Sequence, residues 1–188
     1  SSKTEELKRL IEAPEILVMP GVYNGYSARL VEQAGYRTGF ITGAGLAENI
    51  LGQPDVGIMG LEDNLRASRA IADCTDLLLI GDGDTGYGNA VNVFFTVRSF
   101  EQAGLQGLMI EDQVWPKRCG HMAGKEVIPA EEMVEKVKAA CEARRDPNFI
   151  VKSRTDAAGP LGIAEAIRRL NLYAEAGADL LFADALLS

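Results

Sequence analysis

Two textures alternate along the chain. Six short runs are apolar almost throughout: 16–19, 38–42, 77–81, 107–111, 149–153 and 179–184. A strand with one wet face would alternate apolar and polar residues, so unbroken runs of this length predict strands covered on both faces. Between them, apolar residues recur three and four apart over 3–12, 25–34, 61–73, 90–103, 130–144 and 162–176, the spacing of one helix face. Three helical segments close alike, in Glu32-Gln33-Ala34-Gly35, Glu101-Gln102-Ala103-Gly104 and Ala174-Glu175-Ala176-Gly177, each just ahead of an apolar run. Glycine at that point predicts a left-handed helix stop feeding the next strand.

A recurring helix-to-strand junction predicts an α/β fold with a parallel sheet, and a (β/α)8 TIM-type barrel ahead of an open doubly wound sheet. No Gly-x-Gly-x-x-Gly opens a helix after the first run, as a dinucleotide fold would require. Six runs cover about the first six βα units of an eight-unit barrel. The expectation is therefore a single barrel domain over 1–188 that lacks its last two strands.

Composition narrows the partners. A formal net charge of -8, with no visible cluster of Lys and Arg, argues against a nucleic-acid surface. Cys74, Cys119 and Cys141 are odd in number and widely spaced, which argues against a disulfide framework and for a reducing compartment. Neither a signal peptide nor a membrane span is read from the polar, helix-patterned residues 1–10, and a cytoplasmic or organellar-soluble protein without a membrane partner is expected.

Candidate chemistry sits where the apolar runs end. After 77–81 come Asp82 and Asp84, two apart among glycines, and the next run ends in Glu111. Three carboxylates at neighbouring strand ends make an oxygen-rich site, suited to Mg²⁺ or Mn²⁺ rather than zinc; the alternative is a turn plus a structural ion pair. The following loop holds Lys117, Cys119 and His121, where nearby cations would favour a thiolate able to exchange protons with carbon. Alone, such a cysteine would more often be a small buried hydrophobe. Arg154 ends the fifth run, either to clamp a substrate carboxylate by its planar fork or to pair with Asp156 or Asp184. Thr42-Gly43-Ala44-Gly45 offers a hydroxyl and accessible amides, for a carboxylate or simply for a turn.

Taken in order, Asp82-Gly83-Asp84-Thr85-Gly86-Tyr87-Gly88-Asn89, Glu111-Asp112-Gln113, Lys117-Arg118-Cys119-Gly120-His121 and Arg154-Thr155-Asp156 resemble the isocitrate lyase and phosphoenolpyruvate mutase superfamily over nearly the whole chain. The cysteine-bearing segment resembles its carbon–carbon lyase branch, of the 2-methylisocitrate and 2,3-dimethylmalate type. The resemblance implies Mg²⁺ held by Asp82, Asp84 and Glu111, with Asp55 supporting the metal waters. It implies a 2-oxo acid carboxylate on Thr42, Gly43 and Ala44, and substrate contacts from Gly120, Arg154 and Asp184. Lys117, Cys119 and His121 would lie on a mobile gating loop, with Cys119 as acid or base. The family usually carries Ser at Thr42 and Glu at Asp184. The implied substrate is a small anionic 2-hydroxy di- or tricarboxylate, and the implied assembly a homo-oligomer, a tetramer. An oxaloacetate hydrolase or phosphonate-processing enzyme of the same superfamily, or a barrel fragment without catalysis, are the alternatives.

Overall fold

The computed structural model describes residues 2–186. Its helices are α1 (Lys3–Glu12), α2 (Gly25–Gln33), α3 (Gly43–Leu51), α4 (Leu61–Cys74), α5 (Ala90–Gln102), α6 (Ala130–Ala143), α7 (Ala158–Leu161) and α8 (Ile163–Glu175). The strands are β1 (Gly21–Val22), β2 (Thr38–Ile41), β3 (Leu78–Asp82), β4 (Gly107–Glu111), β5 (Ile150–Thr155) and β6 (Leu180–Ala183). They form one six-stranded sheet in the order β1-β2-β3-β4-β5-β6, and every pair is parallel. Sequential parallel order with intervening helices is the TIM-barrel pattern.

The unbroken apolar runs are explained by what covers each face. Ile41, Leu79, Leu108, Ile110 and Val151 pack in one core cluster with Ala28, Leu46, Ile71, Phe100, Val137 and Tyr173 from the helices. On the opposite face Leu78, Ile80 and Ile150 meet Leu7 of α1, together with Leu17, Met19 and Phe40. Because side chains alternate along a strand, the face bearing Ile80 also bears Asp82, and that bearing Ile150 also bears Arg154. The register sets Glu111 opposite Arg154, and Asp82 opposite Met109.

The three helix stops adopt the expected left-handed geometry, with φ of 91°, 96° and 113° at Gly35, Gly104 and Gly177. Each glycine N–H bonds back to the carbonyl three residues earlier, and the next N–H bonds five residues back, to Val31, Phe100 and Tyr173 respectively. These paired bonds satisfy helix-end carbonyls and turn the chain toward the sheet.

Besides the short α7, which the periodicity did not predict, two elements differ from the sequence expectation. The first strand lies at 21–22 and not at 16–19, where Ile16 is 92% exposed. The Thr38 hydroxyl takes the Val18 carbonyl, and the ladder to β2 begins only at Pro20, whose carbonyl accepts from Phe40. Leu17 and Met19 are apolar because they cover the inner cluster. The second difference is α3, which starts immediately after β2 where a turn was expected. Thr42 caps it by accepting from the Gly45 N–H, and Gly52 ends it at φ 61°.

Candidate active site

The site is built at the carboxyl ends of the strands. Asp82 ends β3, and its carboxylate accepts from the N–H of Asp84 at 3.0 Å and of Gly43 at 3.3 Å. Asp84 has a left-handed backbone, φ 49°, and Tyr87 follows at φ 61°. These conformations cost free energy and need support. Asn64 of α4 supplies it, donating to the Asp82 carbonyl at 2.8 Å and to the Tyr87 hydroxyl at 2.7 Å, while Tyr87 donates to Asp84 Oδ2 at 2.9 Å.

The other oxygen, Asp84 Oδ1, is buried and lies 2.9 Å from Lys117 Nζ, yet no donor meets it in hydrogen-bond geometry. Burial, reinforced by the Asp82 charge, pushes the Asp84 carboxyl up to about 6 against the pull of Lys117. Glu111 is likewise pushed well above its ordinary range by burial; Arg154 opposes this, and Asp82 and Asp156 add to it. Two carboxyls that resist losing their protons beside a third mark a place short of positive charge.

Lys117 and Arg154 offset part of that charge. Lys117 Nζ pairs with Asp55 at 2.6 Å as well as with Asp84. Burial would lower its pKa, but Asp84, Asp82, Glu111 and Asp55 outweigh burial and keep it protonated. Arg154 grips Asp156 with two bonds of 2.9 and 2.8 Å, and reaches Asp184 at 2.8 Å and Glu111 at 3.1 Å. Its pKa is raised too, burial being outweighed by Glu111 and Asp156. Of the two sequence readings of Arg154, the pairing with Asp156 and Asp184 is present, and the residue also lines the cavity.

That cavity measures about 360 Å³ and is bordered by Thr42, Ala44, Asp55, Asp82, Cys119, Gly120, His121, Arg154 and Asp184. Gly43 adjoins it through its bond to Asp82, while the buried Asp84, Lys117 and Glu111 contact its lining residues Asp82, Asp55 and Arg154 respectively. A side chain at Gly120 would collide with the Asp184 carboxylate and displace it from its place beside Arg154. Cys119 is half-buried and its N–H donates to the Asp55 carbonyl at 3.0 Å; His121 stands exposed at the rim. A larger cavity of about 680 Å³, lined by Tyr87, Trp115, Ile128 and Lys136, holds none of the candidate residues.

Among the described residues no three Asp, Glu, His or Cys side chains converge as a cage for direct ligation. The donor set nonetheless fits a hard divalent ion. Mg²⁺ retains several waters and takes only one or two carboxylates directly, so carboxylates set apart suit it, and the undonated Asp84 Oδ1 offers a lone pair for such a water. Asp55 accepts from Lys117 Nζ at 2.7 Å, and the same ammonium pairs with Asp84.

Several site groups were not singled out from the sequence. Lys125 pairs with Asp156 at 2.9 Å. Gln113 bonds both Glu111 and the following loop. Lys152 lines the cavity with its ammonium 5.0 Å from the Phe40 ring centre and 4.9 Å from that of Phe182. Only Lys152 left a signal, as a charge at an inward position of a buried strand.

The family profile described as phosphoenolpyruvate phosphomutase matches residues 7–188. A 2,3-dimethylmalate lyase of Eubacterium barkeri is 42% identical over 177 residues, covering 94% of this chain and 61% of that protein. The chain thus spans about three fifths of the length of this curated relative. Among solved structures, oxaloacetate acetylhydrolase in complex with 3,3-difluorooxalacetate superposes with a TM-score of 0.95 at 38% identity, covering 100% of this chain and 65% of that one. A phosphonopyruvate hydrolase in complex with oxalate and Mg²⁺ superposes with a TM-score of 0.89 at 35% identity, covering 97% and 63%.

Proposed function

The chain belongs to the phosphoenolpyruvate mutase/isocitrate lyase superfamily, and from that premise we propose that it is the catalytic part of a Mg²⁺-dependent carbon–carbon lyase. Its substrate is a 2-hydroxy di- or tricarboxylate of the 2-methylisocitrate or 2,3-dimethylmalate type. The observation that carries this reading is the meeting of Cys119, Arg154 and Asp82 around one cavity, with Asp84 buried against Asp82 and Glu111 against Arg154.

In the proposed reaction a base takes the proton of the substrate hydroxyl, and the O–H electron pair becomes the new carbonyl bond. The adjacent carbon–carbon bond breaks, and its electrons remain on the carbon beside the second carboxylate. Cys119 Sγ–H delivers a proton to that carbon, so one proton leaves the substrate and one arrives. Arg154 stays protonated and, with Nε and Nη2 engaged by carboxylates, has Nη1 unengaged among the described residues to meet a substrate oxygen. Thr42 and the Ala44 N–H at the start of α3 receive the 2-oxo acid carboxylate, the Gly43 and Gly45 N–H groups being turned to Asp82 and to the Thr42 hydroxyl. Asp82, Asp84 and Glu111 would hold Mg²⁺, or Mn²⁺, which when bound polarises the forming carbonyl. Lys117 and Gly120 keep the cysteine loop seated, and His121 stands at the cavity mouth.

Asp82→Ala and Glu111→Ala in the full chain should abolish metal-dependent cleavage while the circular dichroism melt is preserved. Unchanged activity with unchanged metal dependence would refute the assignment. A second reading, hydrolysis of oxaloacetate, draws on the likeness to oxaloacetate acetylhydrolase. Product analysis on a panel of 2-methylisocitrate, 2,3-dimethylmalate and oxaloacetate separates the two, since the lyase forms a 2-oxo acid and the hydrolase forms oxalate and acetate. Homotetramer formation in a cytoplasmic setting belongs to the same proposal. No described helix is long and apolar enough to cross a membrane.

A further inference from the structure

Gln113 has no part in the chemistry above, yet its side chain is fully engaged in the site. The residue is 1% exposed. Its Nε2 donates to Glu111 Oε2 at 3.1 Å and to the Arg118 carbonyl at 2.8 Å, while its Oε1 accepts from the Arg118 N–H at 3.0 Å. Both amide protons are committed, so only one orientation serves; a flipped amide would turn its oxygen toward a carboxylate and a carbonyl. Through Arg118 it grips the two peptide groups between Lys117 and Cys119.

We propose that Gln113 is a latch that links the orientation of Glu111 to the seating of the 117–121 loop, so that a divalent ion held at Glu111 closes the loop bearing Cys119. This rests on the metal reading given above. If the loop lifts, the buried amide loses two of its three partners and is freed to turn away from Glu111. A buried polar group stripped of partners is costly, so the two states move together. Linkage is reciprocal: whatever fixes Glu111 in place favours the seated loop by the same factor. Gln113 acts through Glu111 and Arg118, which makes it a positioning residue. The Cys119 N–H to the Asp55 carbonyl and the Lys117 pairs with Asp55 and Asp84 anchor the loop separately. Loss of Gln113 therefore loosens the loop without releasing it.

Trypsin reads the latch directly, because the Arg118 side chain is exposed while the Arg118–Cys119 peptide is held by Gln113. In the full chain, Mn²⁺ binding is measured by electron paramagnetic resonance, and cleavage after Arg118 is followed by mass spectrometry with and without the ion. Cleavage after Lys138, an exposed position on α6, reports general unfolding. Mn²⁺ should slow cleavage after Arg118 in the wild type. Gln113→Leu should be cut there about tenfold faster without the ion, the size expected for releasing two hydrogen bonds, and Mn²⁺ should no longer protect it. Cleavage after Lys138 should not change. If Gln113→Leu does not fold, Gln113→Glu is read instead, since it matches glutamine in shape but cannot donate to Glu111. Equal protection by Mn²⁺ in wild type and variant overturns the latch. A wild type that binds no Mn²⁺ overturns the metal reading, and equal ion-free cutting of wild type and variant then overturns the latch as well.

Discussion

At the scale of single residues, Cys119 and Asp84 carry the sharpest expectations. Cys119→Ser preserves size but replaces a thiol by a much weaker acid, so substrate and Mg²⁺ binding should persist while turnover falls by about 10²–10⁴-fold, as for loss of one general acid. Turnover equal to wild type on the best 2-hydroxy acid would make the cysteine structural. Asp84 is the group whose pH dependence can be signed. Burial and the Asp82 charge raise its folded pKa to about 6 from the ordinary 3.8. The native state therefore binds more protons than the unfolded state between those values, and this contribution makes the metal-free protein less stable as pH rises from about 4 to 6. Urea midpoints of wild type and Asp84→Asn across that range should differ in slope. Parallel curves would show that Asp84 titrates normally. The sequence showed the acidity of this position but not its burial, which depends on the return of the Lys117 loop.

At the scale of elements, α8 is tied to the ends of β4 and β5 through one buried carboxylate. Asp112 accepts from the Thr155 hydroxyl at 2.7 Å, the Asp156 N–H at 2.9 Å, the Tyr173 hydroxyl at 2.7 Å and Arg169 at 3.2 Å. These contacts fix the backbone next to Glu111 and Arg154, so a helix far from the cavity helps to set the spacing of two site residues. Tyr173→Phe removes one charge-assisted bond and should cost about 1.5–3 kcal/mol in urea unfolding. Asp112→Ala leaves the buried Arg169 cation without this carboxylate and should cost more, about 3–5 kcal/mol. If both variants unfold at the wild-type midpoint, the network is not part of the stability of this junction. The periodicity showed α8 clearly, but nothing local in the sequence joined Tyr173 to Asp112, 61 positions earlier.

At the scale of the whole molecule, the described sheet pairs β1 and β6 on one side only. β6 leaves Leu181 42% and Phe182 38% exposed, and Val91 and Phe95 of α5 stand out at 66% and 63%. Unpaired strand edges and clustered apolar surface favour association. The 188 residues expressed alone should therefore elute above monomer mass in light scattering at micromolar concentration. A monodisperse monomer with a cooperative melt would show that these surfaces are tolerated in water.

The pattern of the sequence alone determined the helices and strands apart from β1, α3 and the short α7, together with the glycine stops and the placing of Asp82, Glu111 and Arg154 at strand ends. These features depend on neighbours two to five residues away, and that spacing is written in the chain. The first strand was misplaced because Leu17 and Met19 are apolar for covering α1 and the inner cluster, a reason with no local trace. Only the tertiary structure decided that Lys117 reaches Asp55, 62 positions away, that Lys125 reaches Asp156, and that Gln113 holds Glu111 and Arg118 together. Each of those contacts depends on where a loop returns to the sheet, and that path is fixed by packing between elements distant in sequence.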